Sequence, residues 1–155
     1  MPKFLRAVRL DDSDDHLYKA HGAAREGEWL VTGGYAVCDF TADPKCSPRC
    51  HCESSFLGLD SRRRCSVAEV VEVTDADLEE RTDQLAWFLV KGWGAPSWEA
   101  ARAVAEEEVR HTVDVCETLS PEVWITVKRE PRDDGAGVDE QYSVYERLMV
   151  GAHRL

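Results

Sequence analysis

The sequence predicts an α+β fold, an antiparallel sheet of about five to six strands packed against a two-helix hairpin, and three observations carry that prediction. Strand-like segments gather in the first half of the chain and again at its end. Two helix-like segments follow one another between them, without the strict alternation of a doubly wound sheet. With 155 residues, 43% of them hydrophobic, and five tryptophans, the chain can fill one core and would starve a second. Residues 1–155 therefore read as a single domain with a Cys-rich loop insertion at about 39–54.

Lys3–Leu10 mixes apolar and basic residues and stops at Asp11, Asp12, Asp14 and Asp15, the pattern of a strand ended by a turn. Leu17–Ala24 gives no clear signal. Arg25-Glu26-Gly27 is a turn, and Glu28–Phe40, rich in Trp, Val, Tyr and Phe, is the second strand, with Gly33-Gly34 as a bulge or bend inside it. Pro44 and Pro48 keep the Cys-rich stretch irregular. Phe56–Leu59 and Cys65–Val73 are the third and fourth strands, the latter with valines on both of its alternating faces, so its buried face stays open.

Thr74 opens the first helix, with Asp77 at the capping-box position and Asp75, Glu79 and Glu80 near its positive end. It ends at Lys91-Gly92. Its second half, Leu85–Val90, is apolar all round, so a second helix must cover what the sheet does not. Gly92–Pro96 is a tight connection, Ser97 an N-cap, and Trp98–Leu119 that second helix. Beyond the Ser120-Pro121 break, Val123, Ile125 and Val127 alternate with Trp124, Thr126 and Lys128 in a half-buried strand. Pro131–Gly137 is a polar turn, and Val138–Leu148 completes a hairpin.

The charge balance, 30 acidic against 19 basic residues, gives a net charge of −11, which repels phosphate backbones and anionic headgroups. Nucleic acid and membrane are excluded as expected partners. Arg62-Arg63-Arg64 is too small a footprint to change this. No segment approaches the ~20 apolar residues of a membrane span or begins like a signal peptide, so a cytoplasmic location with reduced thiols is the expectation.

Among residues that could carry chemistry, the sharpest grouping is Cys46-x3-Cys50-His51-Cys52, with Cys38 before it and Cys65 after it. Thiolates suit zinc, and a tetrahedral site can draw on Cys46, Cys50 and Cys52 with Cys38, Cys65 or His51 as the fourth ligand. The three-residue gap is wider than the usual C-x2-C knuckle, and the spacing matches neither common ferredoxin pattern, which ranks iron–sulfur below zinc. The alternative is a surface loop of free thiols with Cys38 and Cys65 as small buried strand residues.

Cys65 follows three arginines and would be a nucleophile if its thiol faced them. Glu108-x-x-His111 has ligand spacing for one helix face, but a carboxylate bundle needs two such motifs, so Glu106–Arg110 reads as a solvated face. The Asp11–Asp15 cluster lacks the glycine and the final glutamate of a calcium loop. No phosphate loop, dinucleotide fingerprint, serine elbow or HExxH element is present.

The segments Phe4–Asp14, Gly27-Glu28-Trp29, Phe56–Leu59 and Gly94-Ala95-Pro96, with Glu106–Glu108 and Cys116, together resemble a bacterial family of unknown function over most of the chain. The resemblance implies an association with molybdenum-dependent formate dehydrogenase-like gene clusters and their accessory factors. It brings no activity, and the Cys46–Cys52 insertion stands outside its pattern. The expected function is a non-enzymatic accessory or interaction protein of a bacterial redox-enzyme system. Its partner would be another protein or a second copy, met at Trp87, Trp93 and Trp98, since tryptophan is enriched at interface hot spots. Zinc binding by the Cys46–Cys52 cluster is the alternative, and an enzyme with an unrecognised site is the third reading.

Overall fold

The computed structural model describes residues 1–18, 22–34, 54–131 and 138–146. In chain order the elements are β1 (Lys3–Val8), α1 (Ser13–Leu17), β2 (Trp29–Val31), β3 (Phe56–Gly58), β4 (Arg64–Cys65), β5 (Val67–Glu72), α2 (Asp75–Trp93), α3 (Trp98–Cys116), β6 (Trp124–Pro131) and β7 (Val138–Tyr145). The strands form one antiparallel sheet in the order β4-β3-β2-β1-β5-β6-β7, curled and packed against α2 and α3. The expected α+β class, antiparallel sheet and helical hairpin are all present.

Alternation along the strands supplies both faces of the sheet with apolar residues. Phe4 pairs with Val71, and Val31 with Leu57; these residues meet Leu85, Ala86, Phe88 and Leu89 of α2 and Ala101, Ala105 and Val109 of α3. Small residues one turn apart on α3 let the two helices approach closely. On the opposite face Leu5 lies between Leu30 and Val70, and a second cluster gathers them with Phe56, Cys65, Ala68, Cys116, Ile125 and Val127. Curling closes this second face: β1 and β5 separate β6 from β2, yet Arg129 of β6 reaches the backbone at Thr32 and Ser55.

The helix ends follow the local signals. Thr74 and Asp77 form the reciprocal capping box, at 3.0 and 3.1 Å, and Ser97 accepts from the Ala100 N–H at 3.1 Å. Gly94, at φ 67°, ends α2 in the left-handed conformation that glycine adopts at least cost. α3 stops at Cys116, three residues short of expectation, and passes into tight turns whose Glu117 and Leu119 carbonyls accept from the Lys3 ammonium at 3.1 and 2.5 Å.

Four expectations need correction. The strand placed at Glu28–Phe40 begins at Trp29 and stops at Val31, since Thr32 is drawn to α3 and Gly33 turns at φ +82°; residues 35–40 lie outside the described set. The strand placed at Cys65–Val73 is two strands, broken at Ser66. There Asp14 accepts the Ser66 N–H at 3.1 Å and Tyr18 bonds the Ser66 hydroxyl at 2.7 Å. Extra short strands of this kind raise the count to seven. The acidic run is more than a turn, for Ser13 starts a five-residue helix that buries Asp14. Finally, α3 covers only part of the apolar half of α2, and Trp87 stays 54% exposed.

Candidate functional site

A buried polar constellation forms where α3 meets the far end of the β6–β7 hairpin. Register makes it: Arg129 stands directly across from Glu140, in phase with the buried Ile125 and Val127. Arg129 is 2% exposed. Its Nε donates to Glu140 Oε2 at 2.8 Å, its Nη1 to the Ser55 carbonyl at 2.6 Å, and its Nη2 to the Thr32 carbonyl. Tyr142 donates its hydroxyl to Glu140 Oε2 at 3.0 Å, and His111 Nε2 lies 3.0 Å from Glu140 Oε1.

From α3, Glu108 Oε1 accepts from the Thr32 hydroxyl at 2.7 Å and from the Gly33 N–H at 3.0 Å. Thr112 Oγ1 accepts the Thr32 N–H at 3.2 Å and donates to the Glu108 carbonyl at 3.0 Å. Spacings of three and four residues put Glu108, His111 and Thr112 on one side of α3. Gly33 permits the close packing, because a Cβ there would sit 2.6 Å from Arg64 Nη1.

Burial alone would raise the Glu140 pKa, but hydrogen bonds from His111, Arg129 and Tyr142 and the Arg129 charge outweigh it and hold the carboxyl down at about 2. The bond to Glu140 raises His111 above its usual 6.5 against partial burial. Burial, then the Glu140 charge, pushes the Tyr142 phenol up. The cluster is thus a charged clamp with one imidazole facing water.

Its position gives it a role. Thr32, Gly33 and Gly34 lead into residues 35–53 and Ser54 and Ser55 lead out, so Arg129, Glu108 and Thr112 grip the chain on both sides of that segment. Cys38, Cys46, Cys50, His51 and Cys52 all fall within it and lie outside the described residues. Cys65 is described: it is fully buried, its thiol donates to the Val67 carbonyl at 3.0 Å, and burial pushes its pKa up to about 12. That is the environment of a buried strand residue and not of an activated nucleophile. Cys116 is likewise buried, with its pKa raised to about 12. Among the described residues no three His, Cys, Asp or Glu side chains are grouped to hold a metal ion.

A second feature lies on the outer side of the hairpin. Trp87 and Trp98 meet edge to face with ring centroids 5.8 Å apart, 54% and 39% exposed, and the Lys91 ammonium lies 5.3 Å from the Trp87 ring. Trp93 is the last residue of α2, and its side chain lies outside the described residues. No described helix is long and apolar enough to cross a membrane.

Of the three tryptophans the sequence grouped about the hairpin, Trp87 and Trp98 are in contact and the Trp93 side chain lies outside the described residues; the clamp was missed. Glu106–Arg110 was expected to be a solvated face, yet Glu108 is 8% exposed and its Oε1 takes two hydrogen bonds. The available signal was parity: continuing the alternation Val123, Ile125, Val127 puts Arg129 on the buried side, where a charge requires a partner.

No curated protein and no solved structure matches the chain. A family profile does match it, over residues 1–152, and the chain belongs to that family of unknown function, DUF6505.

Proposed function

We propose that this is an accessory protein that works by binding another protein through the outer face of its helical hairpin. The observation that carries the reading is the Trp87–Trp98 pair, two large aromatic rings packed on each other and left facing solvent. Aromatic anchors of this kind dominate interface energetics. A bacterial redox-enzyme system of the formate dehydrogenase-like type is the setting we propose, on the sequence resemblance alone. Sedimentation of the tag-free protein in native extract tests the binding. It should run in a complex larger than the 17.5 kDa chain, and the Trp87→Ser/Trp98→Ser variant should run alone. A wild-type protein that runs alone overturns the proposal.

A second reading is a zinc site on Cys46, Cys50 and Cys52 with Cys38 or His51. It is supported by the clamp, which holds the flanks of the segment together and so lowers the entropy cost of gathering its thiols. Elemental mass spectrometry of reduced protein should find about one zinc per chain. A triple serine variant of Cys46, Cys50 and Cys52 should lose it; absence of zinc from the wild type removes this reading.

A further inference from the structure

The outer face of the hairpin carries a charge pattern as well as an aromatic pair. Steps of four residues align Glu79, Asp83 and Trp87 along α2 and Trp98, Arg102 and Glu106 along α3. The two rows meet side by side: Trp87 touches Trp98, and Arg102 lies 3.2 Å from Asp83, 2.7 Å from Glu79 and 3.8 Å from Glu106. One guanidinium thus faces three carboxylates, each more than half exposed, so this end of the face keeps an uncompensated negative charge. Asp75, exposed and one turn before Glu79, extends it toward the start of α2. Along α2 the aromatic and acidic ends are about 12 Å apart at 1.5 Å per residue.

A partner complementary to this surface needs an apolar anchor and, about two helical turns away, two or more basic side chains. Resting on the reading of this face as a protein-binding surface, we propose that its occupant is a cationic amphipathic helix of a partner protein. The anchor seats on Trp87 and Trp98, and lysine or arginine side chains engage Glu79, Asp83 and Glu106. A second copy of this chain does not fit, because the face would meet its own negative charge on a molecule of net charge −11. Charged contacts of this kind speed association and select the partner, while the aromatic anchor slows its release.

The test uses the full chain and a fluorescent Leu/Lys amphipathic helix of about 18 residues, with a Leu/Glu helix of the same pattern as comparison. Anisotropy titrations should show binding of the Leu/Lys probe that weakens as salt rises from about 0.05 to about 0.3 M. Glu79→Gln/Asp83→Asn/Glu106→Gln and Trp87→Ser/Trp98→Ser should each weaken it by about tenfold or more. Removing the same charge elsewhere, in Asp12→Asn/Asp15→Asn/Glu130→Gln, should change it by less than about twofold. Circular dichroism confirms that each variant is folded. Equal binding of the Leu/Glu probe, or equal loss in the remote-charge variant, overturns the cationic partner. If the native complex is lost in Trp87→Ser/Trp98→Ser but survives the three carboxylate substitutions, the cationic partner falls while the protein-binding reading stands. If it survives the tryptophan substitutions, both fall.

Discussion

Replacing Glu140 by glutamine keeps the shape of the side chain and removes its charge, which isolates what the carboxylate contributes to the clamp. In the native protein that carboxylate takes Arg129 at 2.8 Å, Tyr142 at 3.0 Å and His111 at 3.0 Å, and its pKa falls from 4.5 to about 2. A fall of that size corresponds to about 3 kcal/mol of stability at neutral pH. One edge of Glu140 meets solvent, and screening brings the figure to about 2 kcal/mol. The buried Arg129 guanidinium is left facing a neutral amide, which adds about 1 kcal/mol. Urea denaturation should therefore show a loss of about 2–3 kcal/mol with an unchanged slope, and Tm should fall by about 2–4 °C for each kcal/mol. The folded-state pKa is the lower one, so the contribution is complete above about pH 4.5 and disappears as pH falls toward 2. Wild-type and variant stabilities should converge over that window. A loss below about 0.5 kcal/mol at neutral pH, or one undiminished in acid, refutes the reasoning.

Three further outcomes follow from the same structure. His111 titrates in the opposite sense: its folded pKa is raised, so its bond to Glu140 stabilises fully below about pH 6.5 and weakens as pH rises through the folded value. His111→Ala should flatten that slope in a pH series of urea midpoints. Gly58→Ala should destabilise by about 1–3 kcal/mol, because the new Cβ would overlap Glu28 Oε1. The buried Glu28 carboxylate is fixed by the N–H groups of Arg25 and Ser61 and has little room to yield, and a melting curve reads the effect directly. In timed alkylation followed by peptide mass spectrometry, Cys65 and Cys116 should react only on unfolding, since burial holds both thiols at about 12.

What the sequence disclosed about this fold depended on the range of the forces involved. The Thr74–Asp77 box and the Ser97 cap act within a turn of helix, and both helices began where those residues put them, while α2 runs past the expected end at Lys91-Gly92 to Trp93. The ends of strands were set from far away. Val31 ends β2 because Thr32 bonds Thr112, 80 positions along the chain, and Ser66 splits a strand because Asp14 and Tyr18 reach it from 52 and 48 positions away. No local pattern contains those partners. The apolar surplus of Leu85–Val90 pointed to a covering helix, and α3 covers only part of it, so the exposure of Trp87 was not legible. The clamp was half legible: parity puts Arg129 inward, but its partner Glu140 emerges only from the register of the hairpin.

The clamp also separates two things that a single chain usually couples. Because Arg129 ties the backbone at Thr32 to the backbone at Ser55, the geometry of the sheet is settled before the chain between them is considered. Lengthening that intervening stretch costs little, about 0.6 kcal/mol for each doubling. That stretch can therefore change in length at little cost to the sheet, while a change at Arg129 or Glu140 reaches β2, β3, α3 and the hairpin together.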